Sequence, residues 1–300
     1  MIKLPSGVEI NNLIDDLKVF SWEASEILLY YSQILKDSSN NSNIIKNNNI
    51  EDPVTLADLE VNKLIIQRIN EKYEDIGWKI LSEENVKVES GYCDVNSDWV
   101  WVLDPLDGTK DFLQGTENYA MHLALNYKQK PFLGVVLIPE REELWIADGE
   151  KVWCEKNNSQ KNVSFHYMSK NLEEMVIATS KNHSNSNLNN LIEKVGFKEV
   201  KIMGSIGCKI ASILRGESDL YICLSLPGRS SPKDWDFSAP EAVLKAAGGA
   251  ITNLENESLC YGKKDFEQKG IIIASNNKLT HKKICSEIKQ IIKRYDLYPL

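Results

Sequence analysis

One stretch of the 300-residue sequence constrains its folding more than any other: the apolar run Trp99–Leu103, which stops at Asp104-Pro105-Leu106-Asp107-Gly108-Thr109. A short continuous apolar run bounded by turn residues reads as a strand. Its mouth then carries two carboxylates three residues apart, just before a new turn, where they can converge on one point. Pro105 stiffens that turn and removes a competing donor, and Gly108 lets the backbone approach a ligand closely. The bare N–H groups at Gly108 and Thr109 would face an anion. An ordinary Asp-Pro turn with an Asp N-cap accounts for the same residues without any chemistry. The motif therefore has to be weighed with the rest of the chain.

Upstream, Leu13, Leu17, Ile27, Leu28, Tyr31 and Leu35 recur at helical spacing and predict one long amphipathic helix. The Asn-rich segment Asp37–Asn49 reads as an exposed loop, and Thr55 opens a second helix that runs to about Glu74. Short strands follow at Ala120–Tyr127, Phe132–Ile138, Glu143–Ala147 and Val152–Cys154, punctuated by Lys130-Pro131 and Asp148-Gly149, and predict an antiparallel meander. Past a polar bridge at Lys156–Lys161 the texture changes. Strands at Met175–Thr179, Glu199–Ile202, Leu220–Cys223 and Ile271–Ala274 alternate with helices at Asn185–Val195, Ser205–Leu214 and Ser238–Ala247, and Lys278–Arg294 forms a last helix. The expected fold class is α+β with a meander-bearing N-terminal half (1–160) and an α/β C-terminal half (161–300).

The balance of 35 basic against 43 acidic residues, a formal net charge of −8, argues against binding a nucleic-acid polymer or an anionic membrane surface. The N-terminus lacks the apolar core of a signal peptide, and the longest apolar runs fall far short of the ~20 residues that span a bilayer. Six scattered cysteines without a C-x-x-C pair then read as reduced thiols in a cytoplasmic protein. Phosphate-loop, dinucleotide and nucleophile-elbow motifs are absent, and the four histidines have no zinc-ligand spacing. Any metal must therefore be held by oxygen.

Three further segments offer oxygen. Asp58 lies in Thr55-Leu56-Ala57-Asp58, which a helix capping box explains equally well. Glu83 and Glu84 follow Ile80-Leu81 and taken alone suit a solvated loop. Trp235-Asp236 precedes Ala239–Ala247 and Gly248-Gly249, where Asp236 can serve as a cap and the glycines as a terminator.

Taken together, the constellation T-x-x-D, S-E-E, W-x-L-D-P-L-D-G-T-K-x-F and W-D-x-x-A-P-E…A-G-G resembles the inositol monophosphatase superfamily of metal-dependent, lithium-sensitive phosphatases, over about Asp52 to Ala274. The resemblance implies a layered α-β-α-β-α sugar-phosphatase-like fold. It also implies two to three Mg²⁺ ions: one on Glu83, Asp104 and the Leu106 carbonyl, a second on Asp104, Asp107 and Asp236, and a looser third near Glu83. Glu83, Asp58 and Thr109 would orient and deprotonate the attacking water. For the substrate, Met203-Gly204-Ser205-Ile206-Gly207-Cys208-Lys209 and Ser180-Lys181-Asn182-His183 are similar to the bisphosphate nucleotidase branch. That branch implies contacts from Gly108, Thr109, Ser180, His183, Gly204, Ser205, Lys209, Lys233 and Asp236. Cys223 stands where some members carry an arginine, and Arg229 or Lys233 is the candidate replacement. The implied reaction is removal of the 3'-phosphate of adenosine 3',5'-bisphosphate, with the 5'-phosphosulfate analogue as a further substrate, by a monomer or homodimer. An inositol or sugar phosphate phosphatase is the alternative within the same chemistry, and a catalytically silent Mg²⁺-binding regulator is the alternative outside it.

Overall fold

The computed structural model describes residues 2–37, 45–47, 54–88, 93, 95–156, 159–163, 169–180 and 185–299. Helix α1 (Ile10–Asp37) turns Leu13, Leu17, Phe20, Ala24, Leu28, Tyr31 and Leu35 inward, three or four residues apart. The short ribbon of β1 (Ile45–Asn47) and β2 (Val54–Thr55) leads into α2 (Leu56–Tyr73), which Thr55 and Asp58 open with a full capping box.

A seven-stranded sheet follows in the order β3 (Lys79–Ser82), β4 (Trp99–Asp107), β5 (Ala120–Tyr127), β6 (Lys130–Ile138), β7 (Glu143–Ala147), β8 (Val152–Lys156) and β9 (Ser159–Val163). It is antiparallel except for β3 beside β4. Two short helices interrupt it, α3 (Glu83–Val88) and α4 (Thr109–Leu113). Where a polar bridge was expected at Lys156–Lys161, Lys156 instead ends β8 and Ser159–Lys161 belong to β9, paired antiparallel with it. Strand β9 lies exposed at the sheet edge, so it has no buried face to impose apolar alternation.

The second sheet has the order β11-β10-β12-β14-β13. Its parts along the chain are β10 (Val176–Thr179), α5 (Ser186–Val195), β11 (Glu199–Ile202), α6 (Ile206–Leu214), β12 (Leu220–Ser225), α7 (Asp234–Ala246), β13 (Ala250–Asn253), β14 (Gly270–Ser275) and α8 (His281–Tyr295). Helix α7 begins four residues earlier than Ser238, because the Asp236 carboxylate turns back to the Lys233 N–H and closes a turn there.

The order of packing gives five layers. Helices α1 and α2 cover one face of the first sheet through Trp101, Leu103, Leu123, Leu125 and Val135. Helices α6 and α7 fill the space between the two sheets with Ile210, Phe237, Val243, Tyr221 and Ile272. Helices α5 and α8 close the far side around Leu191, Ile273 and Ile288. The α-β-α-β-α architecture expected from the motifs is thus realised. Close approach of α7 to β6 depends on Gly134, where a Cβ would stand 2.6 Å from Ala242 Cβ and 2.8 Å from the Ala239 carbonyl. None of the six cysteines is in a disulfide. Among the described residues no helix is long and apolar enough to cross a membrane.

Far from the carboxylate-rich segments, His281 is buried between hydroxyls, Nδ1 2.7 Å from Ser275 Oγ and Nε2 2.8 Å from Thr252 Oγ1. Burial pulls its pKa down from 6.5 to about 4. The native state therefore keeps the ring neutral where the unfolded chain protonates it. That contribution is whole above pH 6.5 and is lost as pH falls toward 4, a loss on the order of 3 kcal/mol. We expect denaturant titrations from pH 7.5 to 4.5 to show this loss in the wild type relative to His281→Gln; parallel curves would refute it.

Candidate active site

In a regular strand, residues three apart point to opposite faces of the sheet. Strand β4 breaks that rule. Asp104 pairs with His122 and Asp107 with Ala120, so three steps on β4 oppose two on β5 and one residue of Pro105-Leu106 is extra. Pro105, with no N–H to lose, suits such a bulge. Asp104 faces the α6–α7 side, Leu106 packs into the α1–α2 core, and Asp107 returns to the side of Asp104.

Asp236 from the first turn of α7 joins them. Asp104, Asp107 and Asp236 each bring a carboxylate oxygen within 4.8 Å of the others. Each acid anchors one oxygen: Asp104 Oδ1 accepts from Leu106 N at 3.0 Å, and Asp236 Oδ2 from Lys233 N at 2.5 Å. Asp107 Oδ2 accepts from Ser205 Oγ at 2.7 Å, Gly207 N at 3.3 Å and Ile206 N. Glu83, at the start of α3, reaches the Asp104 carboxyl and pairs with Lys87 Nζ at 3.0 Å. Burial, then Glu83 and the neighbouring aspartates, pushes Asp104 far above the usual carboxylate range, and burial with Asp107 and Glu83 does the same to Asp236.

Asp58 divides its carboxylate in the same way. Oδ2 accepts from Thr55 N at 2.8 Å and Thr55 Oγ1 at 2.5 Å, which is the capping box. Oδ1 lies 3.4 Å from Thr109 Oγ1, and that hydroxyl also lies 3.0 Å from the Leu106 carbonyl. The capping box thus occupies one oxygen, while the other lies within reach of Thr109. Burial lifts Asp58 to about 7 against the opposing hydrogen bonds from Thr55, with Glu84 and Glu83 adding to the rise.

Of the residues implied for the substrate, Gly108 sits at the turn into α4 with φ 92°, where a Cβ would stand 2.9 Å from the Asn118 carbonyl. Gly204 is equally crowded: a Cβ there would meet the Asp111 carboxylate at 2.5 Å. Ser205 is committed to Asp107, and Ser180 is half-buried at the end of β10. Lys209 is 2 % exposed, with Nζ 2.7 Å from the Gly204 carbonyl and 3.3 Å from that of Ser205. Lys233 Nζ is held by Glu267 at 3.0 Å and the Asp265 carbonyl at 3.2 Å. Arg229 is exposed and lines a cavity of about 640 Å³ with Ser225, Ser231, Lys269 and Tyr298. His183 lies outside the described residues.

One participant was not visible in the sequence. His122, fully buried on β5, brings Nε2 to 3.3 Å from Asp107 Oδ2. Only the β4–β5 register, which pairs it with Asp104, reveals it.

A layered α/β protein with a half-buried, oxygen-only carboxylate cluster at a strand bulge offers the donor set that hard divalent cations prefer. The sequence matches the model of the inositol monophosphatase family over residues 16–293, and the chain belongs to that family. It is 27% identical over 213 residues to the 3'(2'),5'-bisphosphate nucleotidase CysQ of Salmonella typhimurium, covering 70% of this chain and 80% of that one. Against the Buchnera aphidicola CysQ nucleotidase it is 30% identical over 212 residues, with 70% and 74% covered. The solved Thermotoga maritima IMPase superimposes with a TM-score of 0.72 at 22% identity, covering 95% and 99% of the two chains, which establishes the fold.

The family is Mg²⁺-dependent, and the donor set fits that ion: carboxylates plus a carbonyl, crowded to the point of repulsion without a counter-charge. Removing one of the repelling charges relieves the metal-free protein and removes a ligand. We expect Asp104→Asn, at pH 8, to stabilise the EDTA-treated protein by about 1–2 kcal/mol. It should also lose the rise in melting temperature that Mg²⁺ gives the wild type. Thermal unfolding with and without Mg²⁺ reads both; destabilisation in EDTA would refute the repulsion.

Proposed function

We propose that this chain is a Mg²⁺-dependent phosphomonoesterase that hydrolyses the 3'-phosphate of adenosine 3',5'-bisphosphate to AMP and phosphate, and accepts the 5'-phosphosulfate analogue. The observation that carries the chemistry is the convergence of Asp104, Asp107 and Asp236 beside Glu83 and the Thr109–Asp58 pair. The names of the relatives support the nucleotide, as do the cations of the loop between β12 and α7.

Glu83, Asp104, Asp107, Asp236 and the Leu106 carbonyl would hold two to three Mg²⁺ ions. When bound, they neutralise phosphate charge and activate water for in-line displacement. The chain's own residues then orient the reaction. The water oxygen bonds to phosphorus, the bond from phosphorus to the sugar 3'-oxygen breaks, and that oxygen takes up a proton. Thr109 Oγ1, fixed between Asp58 and the Leu106 carbonyl, is placed to accept a hydrogen bond from the water. Asp58 and Glu83 are the bases for the proton it loses. The N–H groups at Gly108 and Thr109 face the phosphate, Ser180 borders the nucleoside, and Gly204 and Ser205 form the wall behind it; a nucleoside contact from His183 rests on the resemblance alone. Arg229 or Lys233 takes the 5'-phosphate in place of an arginine at position 223.

Side-by-side kinetics with adenosine 3',5'-bisphosphate, inositol 1-phosphate and fructose 1,6-bisphosphate test the substrate. We expect the highest kcat/KM for the nucleotide; a preference for either of the others would overturn it. Asp107→Asn is expected to cost more than about 100-fold in turnover, since losing even an outer partner of a metal ligand costs 10–100-fold. Persisting activity would refute the site.

A further inference from the structure

The inference starts from the side of Asp107 turned away from the carboxylate cluster and rests on the metal-centre reading above. The peptide unit joining Ser205 to Ile206 is held from both ends. Its N–H donates to Asp107 Oδ2, and its carbonyl accepts from Lys209 Nζ at 3.3 Å. The ammonium also takes the Gly204 carbonyl at 2.7 Å and lies over the Tyr221 ring, 5.3 Å from its centroid. An ammonium and a carboxylate thus lie on opposite sides of one peptide dipole and polarise it in the same sense. This loop would not hold that shape unaided. Ser205 has φ 27° and ψ 131°, a conformation that a non-glycine residue adopts only where its surroundings hold it there. Gly204 and Gly207 are packed so closely that a Cβ would meet the Asp111 carboxylate at 2.5 Å and His122 Nε2 at 2.2 Å.

We infer that Lys209 is a positioning residue for Asp107, fixing the 204–207 loop whose donors hold that carboxylate in the metal centre, and not a substrate ligand. At 2 % exposure, with its ammonium donating to two main-chain carbonyls, it presents no face to a nucleotide. Its positive charge acts on Asp107 from behind. Removing it frees the Ser205–Ile206 peptide to turn, and Asp107 loses donors it shares with no other residue.

The test is binding of Mn²⁺ alone, followed by the paramagnetic signal of the free ion in the absence of substrate, on wild type, Lys209→Met, Lys209→Arg and Asp107→Asn. We expect Lys209→Met to weaken Mn²⁺ binding on the order of 10–100-fold, the cost typical of losing an outer partner of a metal ligand. Lys209→Arg, which keeps charge and donors, should recover most of the affinity. In kinetics Lys209→Met should lose kcat/KM equally for adenosine 3',5'-bisphosphate and 4-nitrophenyl phosphate, and recover part of kcat at high metal. Should the methionine variant not fold, Lys209→Gln, which keeps one donor for the Gly204 carbonyl, carries the same comparison. Unchanged Mn²⁺ affinity with a rise in KM confined to the nucleotide would overturn the inference and make Lys209 a substrate ligand. If Asp107→Asn itself left Mn²⁺ binding and turnover intact, the metal-centre reading would fall instead.

Discussion

Two carboxylates on one strand, three residues apart, are separated by the sheet unless the strand gains a residue between them. The bulge at Pro105-Leu106 supplies that residue, and the rest of the site is arranged around its result. Leu106 stays in the α1–α2 core, so its carbonyl is fixed where Thr109 can reach it. The turn that follows needs Gly108, because φ 92° and the Asn118 carbonyl leave no room for a side chain. Convergence has a cost. Two like charges ~4 Å apart near a protein surface repel by about 4 kcal/mol. The apolar cores packed on both faces of β4 hold the acids together against that repulsion.

The acids tolerate it through a shared division of labour. Asp58, Asp104, Asp107 and Asp236 each give one oxygen to hydrogen-bond donors, three of them to backbone N–H groups within three residues. Asp107 differs, because its donors come from α6, about a hundred residues later in the chain. It is the point where the first sheet depends on the second half of the molecule. Buried positive charge gathers there accordingly, in the Lys209 ammonium, with the His122 ring on the other side.

What was legible in the sequence follows the same division. Locally determined features read well: the apolar run of β4, the Thr55–Asp58 cap and the Trp235-Asp236 pair each announce themselves within a few residues. Features set by distant pairing did not. The place of the bulge needs the β5 register, and so does His122. The direction of the Lys209 side chain depends on the carbonyls of the turn before it. The charge of Lys233 is answered by Glu267, which is 34 residues away. Strand β9 escaped for a different reason, since an exposed edge strand needs no apolar alternation. Layer order came from the family resemblance, because no local pattern says which faces of two sheets will meet.

The net charge of −8 first suggests that the chain would repel a phosphate ester. On the metal-centre reading proposed above, the geometry reverses that expectation at the carboxylate cluster. Asp58, Glu83, Asp104, Asp107 and Asp236 concentrate part of the negative charge where burial makes it most costly, and the cost is relieved by divalent cations. With the cations bound, the same spot turns locally positive inside an acidic surface. Binding of metal and of an anionic substrate are then coupled through the same carboxylates: each cation that lowers their repulsion also raises the attraction for phosphate. A neutral or basic lining would bind the phosphate without metal and gain nothing from it in the displacement step. On that reading, the acidity of the site would make substrate binding conditional on the ions that the proposed chemistry requires.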